Sequence, residues 1–494
     1  MKKRQSSPKD KLVKAQRNFV FRSKTKFSPV KRENIFDATH ILSQLEPVID
    51  YLSNWQAYQY KVPFDGGIIL YGRRGTGKTL FARFIATESG ARFLDMRDFP
   101  VREASLVHAW QPKDIANLFR LSAEWVKKNN KPIVIFLDQF DDWLEVHKNI
   151  VAELETAMDG FSERAEGIVM IVTSKTSPDK IGGSLFRRGR IGIHIACTTP
   201  DVNQQTILLR GFLGKYEHDP NIDCRSIVSF LDEPSPATIK GNVAEVARLA
   251  LREHRLRLAK GENSPEPVIT ENNLIHVFLG RKLDPPTGHT LSEKDKFTVC
   301  VHEIGHAIVA RAQGFMVSFV SNRPGLESLG LTGVNDELNR TLTFEEMKYV
   351  LAMQCAGIEA EKKFNISPSG SGGSDMKDLD DEMRAMLESG YRGNILKKFG
   401  SQDVIRDYEN AQPRSEEMSI AYETELAQLS KEAHLKAQHI LNFFSSDTIR
   451  KAAEELLRKE HGVMLCKELD ALLEPKLSEY HRLHNVHDFL KDQN

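Results

Sequence analysis

The residues best suited to chemistry are two histidines that flank a glutamate in the segment HEIGH, residues 302–306. Residues one helical turn apart share a face, so His302 and His306 can bind one metal ion together, and two imidazoles suit Zn²⁺. Glu303 lies beside them, where a carboxylate takes a proton from zinc-activated water. The alternative is a pair of incidental histidines beside a salt-bridging glutamate. The pattern therefore predicts a zinc hydrolase site with Glu303 as its catalytic residue.

A second segment, GRRGTGKT at residues 72–79, matches the phosphate-binding pattern G-x-x-x-x-G-K-[ST] at every fixed position. Its glycines let backbone N–H groups approach phosphate oxygens at the start of a helix, whereas the alternative is a chance glycine-rich turn. In such loops the lysine reaches the β and γ phosphates and the hydroxyl holds Mg²⁺. We therefore expect ATP with Mg²⁺ to bind to Gly72, Gly75, Thr76, Gly77, Lys78 and Thr79.

The apolar run IVIFLD, residues 133–138, ends in an acid, as does the strand that supports Mg²⁺ in phosphate-loop proteins. Asp138 is the predicted partner of the metal. The next residue is Gln139, at the position where an acidic side chain would polarise the attacking water. Because an amide cannot accept the proton of that water, we expect ATP binding with slow hydrolysis.

The elements that position these residues alternate between strand and helix in the first part of the chain. Apolar runs predict strands at 68–71, 92–96, 133–138, 168–173 and 193–197, and helical periodicity lies between them, for example at 78–89 and 113–127. This alternation predicts a parallel sheet covered by helices on both faces. Residues 203–260 read as helical.

The second part of the chain predicts mostly helices. The first covers residues 292–313, with Ser292 and Asp295 as a capping box and Gly314 as its stop, and others are predicted at 342–364, 375–391, 415–443 and 445–459. A Gly- and Pro-rich stretch at 284–289 marks a boundary. The predicted domains are a basic tail at 1–34, an α/β domain at 35–202, a helical lid at 203–283 and a helical domain at 284–494.

Composition limits the class of protein. The chain has 494 residues, 40% of them hydrophobic, with 68 basic and 68 acidic residues, which is typical of a globular multidomain protein and predicts no specific nucleic acid. Five scattered cysteines favour a reducing compartment, cytoplasmic or an organelle stroma or matrix. No run approaches the roughly 18 apolar residues of a transmembrane segment.

The first 32 residues hold twelve Lys or Arg and one acid, Asp10. This bias predicts a solvated, disordered tail. A contact with a membrane surface or nucleic acid, and a transit peptide, are the alternatives.

Taken together, the segments resemble the FtsH-type AAA+ metalloproteases. The resemblance runs from Phe36-Asp37 through the phosphate loop, MDGF at 158–161 and RRGR at 187–190, and extends over roughly residues 35–475. It implies an AAA+ α/β ATPase domain with a small helical lid, then a mostly α-helical zinc metallopeptidase domain. It also implies a homo- or hetero-hexameric ring that feeds protein substrates to the peptidase. Arg187 and Arg190 match the family arginines that act on the γ-phosphate of a neighbour.

The resemblance also implies a third zinc ligand. The segment GSDM, residues 373–376, is similar to the family segment that supplies an aspartate, so Asp375 is the expected ligand. The nearby Asp378, Asp380 and Asp381 are the competing assignments.

The chain departs from the family at several positions of the ATPase. Besides Gln139, an asparagine expected after the fourth strand is replaced by Ser174 or Lys175, and two prolines of the phosphate loop are replaced by Arg73 and Arg74. The pore segment falls at residues 106–110 without the family's aromatic-hydrophobic-Gly triplet. Trp110 is either a substrate-gripping side chain or, by the simpler interpretation, a packed one.

Three functions follow as expectations. The first is an ATP-dependent zinc endopeptidase that degrades proteins or peptides. The second is a hydrolysis-impaired nucleotide-binding subunit that acts as a scaffold, chaperone or regulator in a mixed ring. The third is a peptidase that works without ATP hydrolysis. Because family members carry membrane spans before the ATPase and this sequence has none, we expect at most indirect membrane association.

Overall fold

The fold is taken from a computed structural model of the chain. It describes residues 8–22, 28–36, 38–59, 61–62, 64–101, 103–104, 107–108, 110–162, 166–231, 234–262, 266–280, 291–323, 329–334, 343–366, 372–388, 416–459, 461–484 and 486. The chain divides into two compact units, one of residues 1–215 and 233–241, the other of residues 216–232 and 242–494. Within the described segments, no helix combines the length and apolar character that crossing a membrane requires.

A five-stranded sheet forms the centre of the first unit. The strands are β1 (Gly67–Tyr71), β2 (Arg92–Asp95), β5 (Ile133–Leu137), β6 (Ile168–Ser174) and β7 (Ile193–Ala196), all parallel, in the order β2-β5-β6-β1-β7. All five residues of β5 and all seven of β6 are buried, as expected for a parallel sheet covered on both faces. The five strands predicted from the sequence are confirmed, with ends within one residue. A short hairpin, β3 (Glu103–Ala104) and β4 (Val107–His108), follows β2.

Helices cover this sheet. Helix α4 (Lys78–Glu88) starts directly after the phosphate loop, and α5 (Pro112–Asn129) starts at a capping box formed by Gln111 and Asp114. The others are α2 (Thr39–Ser53), α3 (Trp55–Tyr58), α6 (Phe140–Val146), α7 (Val151–Ser162), α8 (Pro178–Ile181) and α9 (Val202–Leu213). Helix α11 (Pro236–Ala259) begins in the first unit and continues into the second.

The basic N-terminal segment corrects one prediction. Residues expected to be disordered form helix α1 (Pro8–Arg22), which packs on α5. Val20 is fully buried, and the side chain of Gln16 donates to Asp114 Oδ1 at 2.7 Å and to the Pro100 carbonyl at 3.0 Å. The basic residues of α1 whose exposure is described, Lys11, Lys14, Arg17 and Arg22, are exposed, so this part of the charge bias is the solvated side of an amphipathic helix.

The second unit is built around α13 (Glu293–Ala312), where the sequence predicts the metal site. Ser292 caps this helix by accepting from the Asp295 backbone N–H at 3.2 Å, as predicted. Helices α14 (Phe344–Lys363) and α17 (Ser446–Arg458) pack against α13, and α16 (Glu416–Phe443) packs against α14. The remaining helices are α10 (Cys224–Val228), α12 (Glu271–Gly280), α15 (Gly372–Glu388), α18 (Cys466–Leu473) and α19 (Lys476–His484).

A three-stranded antiparallel sheet, which the sequence analysis did not predict, accompanies these helices. It consists of β8 (Val317–Ser321), β9 (Leu331–Val334) and β10 (Val463–Leu465) in the order β10-β8-β9. Strand β9 contacts α13 and lies at one edge of the sheet. The predicted domain boundary at 284–289 falls outside the described residues, and the domain limits remain a prediction.

Candidate metal centre and nucleotide site

Helix α13 brings the two predicted imidazoles together. His302 and His306 are one turn apart, their ring centroids are 4.8 Å apart, and their Nε2 atoms are 3.1 Å apart. His302 is 1% exposed, and the side chain of His306 is 13% exposed. Two imidazole nitrogens therefore converge on one point that is close to the surface.

The first turn of α15 supplies a carboxylate at the same point. Asp375 Oδ2 lies 2.7 Å from His302 Nε2 and 3.3 Å from His306 Nε2. Across the part of the chain that the structure describes, these three residues form the one group of His, Cys, Asp or Glu side chains able to share a metal ion. Of the competing assignments, Asp380 instead accepts from Arg384 Nε at 2.7 Å.

The spacing of the three donor atoms fits zinc. Ligand atoms about 2.05 Å from a tetrahedral zinc ion lie about 3.3 Å from one another. The observed separations are 2.7, 3.1 and 3.3 Å. Two nitrogens and one oxygen with a fourth direction left over are also the donor set of a catalytic zinc site, which keeps one position for water.

Partners behind the imidazoles fix their orientation. His302 Nδ1 donates to Glu361 Oε1 at 2.9 Å, and His306 Nδ1 donates to the Met353 carbonyl at 2.6 Å. Both partners lie on α14, and such contacts hold the opposite ring nitrogen toward a metal. Burial acts to lower the pKa of His302, but the carboxylates of Asp375 and Glu361 raise it, to about 10.

Close packing of α13 against α14 brings these partners within reach. A Cβ atom on Gly357 would lie 2.4 Å from His302 Nε2 and 2.5 Å from His306 Nε2. A Cβ atom on Gly305 would lie 2.6 Å from the Ala360 Cβ and 2.7 Å from the Ala356 carbonyl oxygen. The backbones of the two helices therefore pack closely at Gly305, and any larger side chain at Gly357 would occupy the space between the ligands.

Glu303 lies next to the metal ligands and is held by strand β9. Thr332 Oγ1 donates to Glu303 Oε2 at 2.7 Å. The Glu303 side chain is buried, and burial raises its pKa above the ordinary carboxyl value. A carboxylate in this environment can accept a proton and keep it for a later step.

The phosphate loop has the form that its sequence predicts. Gly77 precedes α4 with a φ of 93°, a left-handed conformation that favours glycine. The Lys78 ammonium donates to the carbonyl oxygens of Gly72 and Arg73, each at 2.6 Å. Burial lowers the pKa of Lys78. These loop carbonyls hold the cation at the mouth of the loop, where phosphate oxygens would replace them.

Asp138 is placed beside the loop, as predicted. Its Oδ1 atom accepts from Thr79 Oγ1 at 3.3 Å and from Thr173 Oγ1 at 2.5 Å. Its Oδ2 atom faces Arg97 Nη1 at 3.6 Å. Gln139 follows with a left-handed backbone, φ 56°, and its N–H donates to Thr173 Oγ1 at 3.0 Å.

The two candidate arginine fingers differ in their surroundings. Arg187 is exposed. Arg190 is engaged within its own unit, with Nη1 3.0 Å from Glu155 Oε2 and Nε donating to Asp159 at 2.7 Å. Where a sensor asparagine is missing, the Lys175 ammonium pairs with Asp142 at 2.7 Å.

Of the predicted pore segment, only Trp110 has a described side chain. It is 5% exposed and stacks on Phe99 with ring centroids 5.4 Å apart. The simpler interpretation, a packed tryptophan, therefore fits the structure.

Four residues that support the metal ligands and Glu303 were not assigned this role from the sequence: Thr332, Met353, Gly357 and Glu361. Met353 acts through its backbone carbonyl, which leaves no signal in side-chain type. Thr332 lies on β9 and the histidines lie on α13, so no spacing along the sequence links them. Glu361 did carry a signal, because it is a carboxylate among the buried small residues of α14.

Comparison with known proteins gives two family matches. The model for the ATPase family associated with various cellular activities (AAA) matches residues 68–199. The model for peptidase family M41 matches residues 289–472. The first match contains the phosphate loop, Asp138 and both arginines. The second contains the histidines, Glu303 and Asp375.

Three curated relatives match along most of the chain. An "ATP-dependent zinc metalloprotease FtsH 2" from Symbiobacterium thermophilum is 26% identical over 420 residues, 81% of this chain and 68% of the relative. An "ATP-dependent zinc metalloprotease FtsH" from Kosmotoga olearia is 26% identical over 478 residues, 92% of this chain and 69% of the relative. The human "ATP-dependent zinc metalloprotease YME1L1" is 25% identical over 465 residues, 90% of this chain and 56% of the relative.

The order of the two matched families, AAA before M41, is the order in which the structure presents the phosphate loop and the metal centre. Each of the three relatives matches 81% or more of this chain. This chain therefore combines an AAA match with an M41 match and is similar to the FtsH-type AAA+ zinc metalloproteases over most of its length.

Proposed function

We propose that the chain is an ATP-dependent zinc endopeptidase that cleaves protein substrates. The observation that carries the proposal is the convergence of His302, His306 and Asp375 on one point, with Glu303 beside them. The three residues present the nitrogen and oxygen donors of a catalytic zinc site, and Glu303 supplies the base that peptide hydrolysis requires.

The mechanism places different tasks on different residues. Bound zinc would polarise the scissile carbonyl and lower the pKa of an attacking water. His302, His306 and Asp375 would hold the ion, while Glu361 and the Met353 carbonyl fix the two imidazole rings. Glu303 takes the proton of the attacking water at its carboxylate.

In the second proton step, Glu303 donates this proton to the substrate. Cleavage of a peptide bond needs a proton on the leaving amine nitrogen. Burial raises the pKa of Glu303, which favours its protonated form, and Glu303 then donates this proton to the leaving amine. The hydrogen bond from Thr332 keeps one carboxyl oxygen fixed during both steps.

The ATPase site supports a ring assembly. AAA+ relatives by family resemblance work as hexamers, and we propose a ring of six for this chain, of one or more kinds of subunit. The exposed position of Arg187 leaves it accessible to the nucleotide of a neighbour. Arg190 would first have to leave Glu155 and Asp159, so we assign Arg187 the larger part.

The cysteines support a reducing compartment. All five, Cys197, Cys224, Cys300, Cys355 and Cys466, are buried and unpaired with one another. Burial raises the pKa of Cys355 and Cys466 to about 12, which makes these thiols unreactive.

The test is digestion of casein or an unstructured peptide by the zinc-loaded protein, with and without ATP and with and without a zinc chelator. We expect cleavage that ATP stimulates and the chelator stops. Glu303→Gln should bind as much zinc as the wild type and cleave no substrate. Zinc-loaded wild type that leaves casein intact under every condition would overturn the proposal.

A second candidate function is favoured by one observation, the amide of Gln139 after Asp138. It is a nucleotide-binding subunit that hydrolyses ATP poorly and regulates a mixed ring. Bound zinc without cleavage, in the same digestion, would support it. Chelator-sensitive cleavage that ATP does not change would instead support a peptidase that works without hydrolysis.

A further inference from the structure

The hairpin β3-β4 is too short to hold its own position. Its strands have two residues each, paired so that Glu103 lies opposite His108. A two-stranded ladder of this size needs packing against other elements to be stable in water. The position of the hairpin therefore depends on what holds the chain on either side of it, at Pro100 and at Trp110.

Helix α1 holds the chain before the hairpin and ties it to α5. Gln16 is 1% exposed, and its amide nitrogen donates to the Pro100 carbonyl at 3.0 Å and to Asp114 Oδ1 at 2.7 Å. Its amide oxygen accepts from Asn117 Nδ2 at 3.2 Å. Both N–H bonds and the oxygen of this amide are therefore in use. Because Asp114 and Asn117 lie on α5, one buried side chain joins the entry of the hairpin to the helix that follows it.

Aromatic rings of α1 and of both ends of the hairpin pack in one row. Phe19 of α1 meets Phe99 edge to face with ring centroids 5.6 Å apart, and Phe99 stacks on Trp110. The row continues to Trp143 of α6, whose ring centroid is 6.2 Å from that of Trp110. Helix α6 begins directly after Gln139. The base of the hairpin is therefore clamped between α1 and the helix that leaves the nucleotide site.

An ion pair of α1 adds little to this arrangement. Arg17 Nη1 lies 3.4 Å from Glu124 Oε2, but both side chains are exposed, so water weakens their attraction. The contacts of Gln16 and Phe19 are the ones that reach the hairpin, and they are the ones to change in a test.

We propose that α1 is a strap that braces the hairpin β3-β4 for work on protein substrates. The inference rests on the proposed function, because the family resemblance places this segment in the path of the substrate. A hairpin that pulls on a polypeptide receives an equal force in return, and a ladder of two residues resists that force only when its base is held. A short peptide that diffuses to the metal centre does not load the hairpin, so its cleavage does not depend on the strap.

The experiment compares degradation of casein with cleavage of a short fluorogenic peptide by the full-length, zinc-loaded protein in the presence of ATP. Gln16→Ala removes the buried amide, and we expect it to lower the rate of casein degradation by about tenfold or more, the effect of losing buried hydrogen bonds. Phe19→Ala should act in the same direction. Both variants should cleave the short peptide at the wild-type rate. Lys14→Ala, which shortens an exposed side chain of the same helix, is the matched control and should change neither rate.

Hydrogen exchange followed by mass spectrometry adds a readout that does not depend on activity. Peptides that span residues 99–111 should exchange faster in Gln16→Ala than in the wild type or Lys14→Ala. Peptides from β5 and β6 should remain as protected as in the wild type, which shows that the variant is folded.

Three results would overturn the inference: casein degradation that survives both substitutions, equal losses of casein and peptide cleavage, or unchanged exchange of residues 99–111 in Gln16→Ala. Equal losses would assign α1 to general stability. A failure of the proposed function has a different signature, because the wild type would then cleave neither substrate. The exchange comparison would still decide whether α1 braces the hairpin.

Discussion

In the proposed mechanism, the carboxyl group of Glu303 accepts a proton and later donates it while staying in nearly the same position. Thr332 restrains one of its oxygens by a hydrogen bond of 2.7 Å, and burial removes competing water. A freely rotating carboxylate would spend part of its time turned away from the reacting atoms. Thr332 is therefore a positioning residue of the peptidase site, one that acts through Glu303.

Thr332→Val tests this role with nearly the same side-chain volume. Losing a hydrogen bond to a charged group costs about 1.5–3 kcal/mol, so we expect kcat for peptide cleavage to fall by about tenfold or more. KM and zinc content should stay close to wild type, since valine leaves substrate and metal contacts in place. Thr332→Ser should recover most of the activity because it restores the hydroxyl. Equal losses in both variants would assign Thr332 to packing alone.

The residues of the metal centre differ in how readily the sequence predicts them. His302, Glu303 and His306 lie within one turn of a helix, so their spacing alone predicts the site. Asp375 lies on another helix, and only the resemblance to a family singled it out. The Met353 carbonyl belongs to a group that every residue has, so no pattern of side chains could have predicted it.

At the level of elements, the contact between α13 and α14 sets the geometry of the centre. Gly305 lies on α13 where the two helices meet, and its missing side chain lets the backbone of α14 approach. The orienting groups of both imidazoles, Glu361 and the Met353 carbonyl, lie on α14. A wider gap between the helices would lengthen these hydrogen bonds together.

Gly305→Ala should therefore lower the free energy of unfolding by about 1–3 kcal/mol, the usual cost of overpacking, and weaken zinc binding. Gly241→Ala is the matched control, because Gly241 also lies in a helix but has nothing within 4 Å of its added Cβ. That control should be neutral or stabilise by up to about 1 kcal/mol. Thermal melts and zinc titrations measure both effects. Equal behaviour of the two variants would contradict the packing argument.

A buried carboxylate links α14 to α16. Glu359 Oε1 accepts from His434 Nδ1 at 2.8 Å and from the Lys362 ammonium at 2.6 Å, and Oε2 accepts from Gln438 at 2.9 Å. Burial acts to raise the pKa of Glu359, but these donors outweigh it and lower the pKa to about 2. The folded protein therefore favours the ionised form.

The lowered pKa of Glu359 makes the stability of the protein depend on pH. A carboxyl group whose pKa is lowered by folding stabilises the protein above its unfolded pKa, and this contribution is lost as the pH falls toward its folded pKa. Glu359→Gln should cost about 2 kcal/mol at neutral pH. The difference from wild type should shrink between about pH 4.5 and pH 2. Urea denaturation of both proteins across this range measures it, and a constant difference would contradict the assignment.

The elements were predictable where their pattern was long or continuous. Strands β1, β2, β5, β6 and β7 are apolar runs, and α13 carries a capping serine and a stop glycine. The sheet β8-β9-β10 was missed because its strands have only three to five residues, and because β10 pairs with β8 from a distant part of the chain, with Leu465 opposite Phe319. Helix α1 was missed because the prediction relied on the basic charge of the segment. It did not consider that Gln16 and Val20, one helical turn apart, could form a buried face.

At the scale of the whole molecule, the two units carry separate chemistry. The first holds the phosphate loop, and the second holds the metal centre. In the proposed function, nucleotide drives substrate toward the peptidase. We expect the rate of ATP hydrolysis to limit this process, and we expect Gln139 to limit hydrolysis, because an amide cannot accept the proton of the attacking water.

Gln139→Glu should raise ATP turnover by about 10²-fold, the effect of supplying a general base. ATP affinity should change little, because the phosphate loop is untouched. Lys78→Ala in the same background should remove the gained activity, which excludes a contaminating ATPase. A phosphate-release assay measures all three proteins. Wild type that already turns over ATP as fast as Gln139→Glu would contradict the role given to this residue.

The central claim is that His302, His306 and Asp375 bind one zinc ion at an open, catalytic site. X-ray absorption spectroscopy at the zinc edge of the purified full-length protein tests it directly. We predict one zinc per chain with four nitrogen or oxygen neighbours at about 2.0–2.2 Å, two of them imidazoles. Zinc surrounded by sulfur, zinc with a purely oxygen shell, or a protein that binds no zinc would contradict the claim.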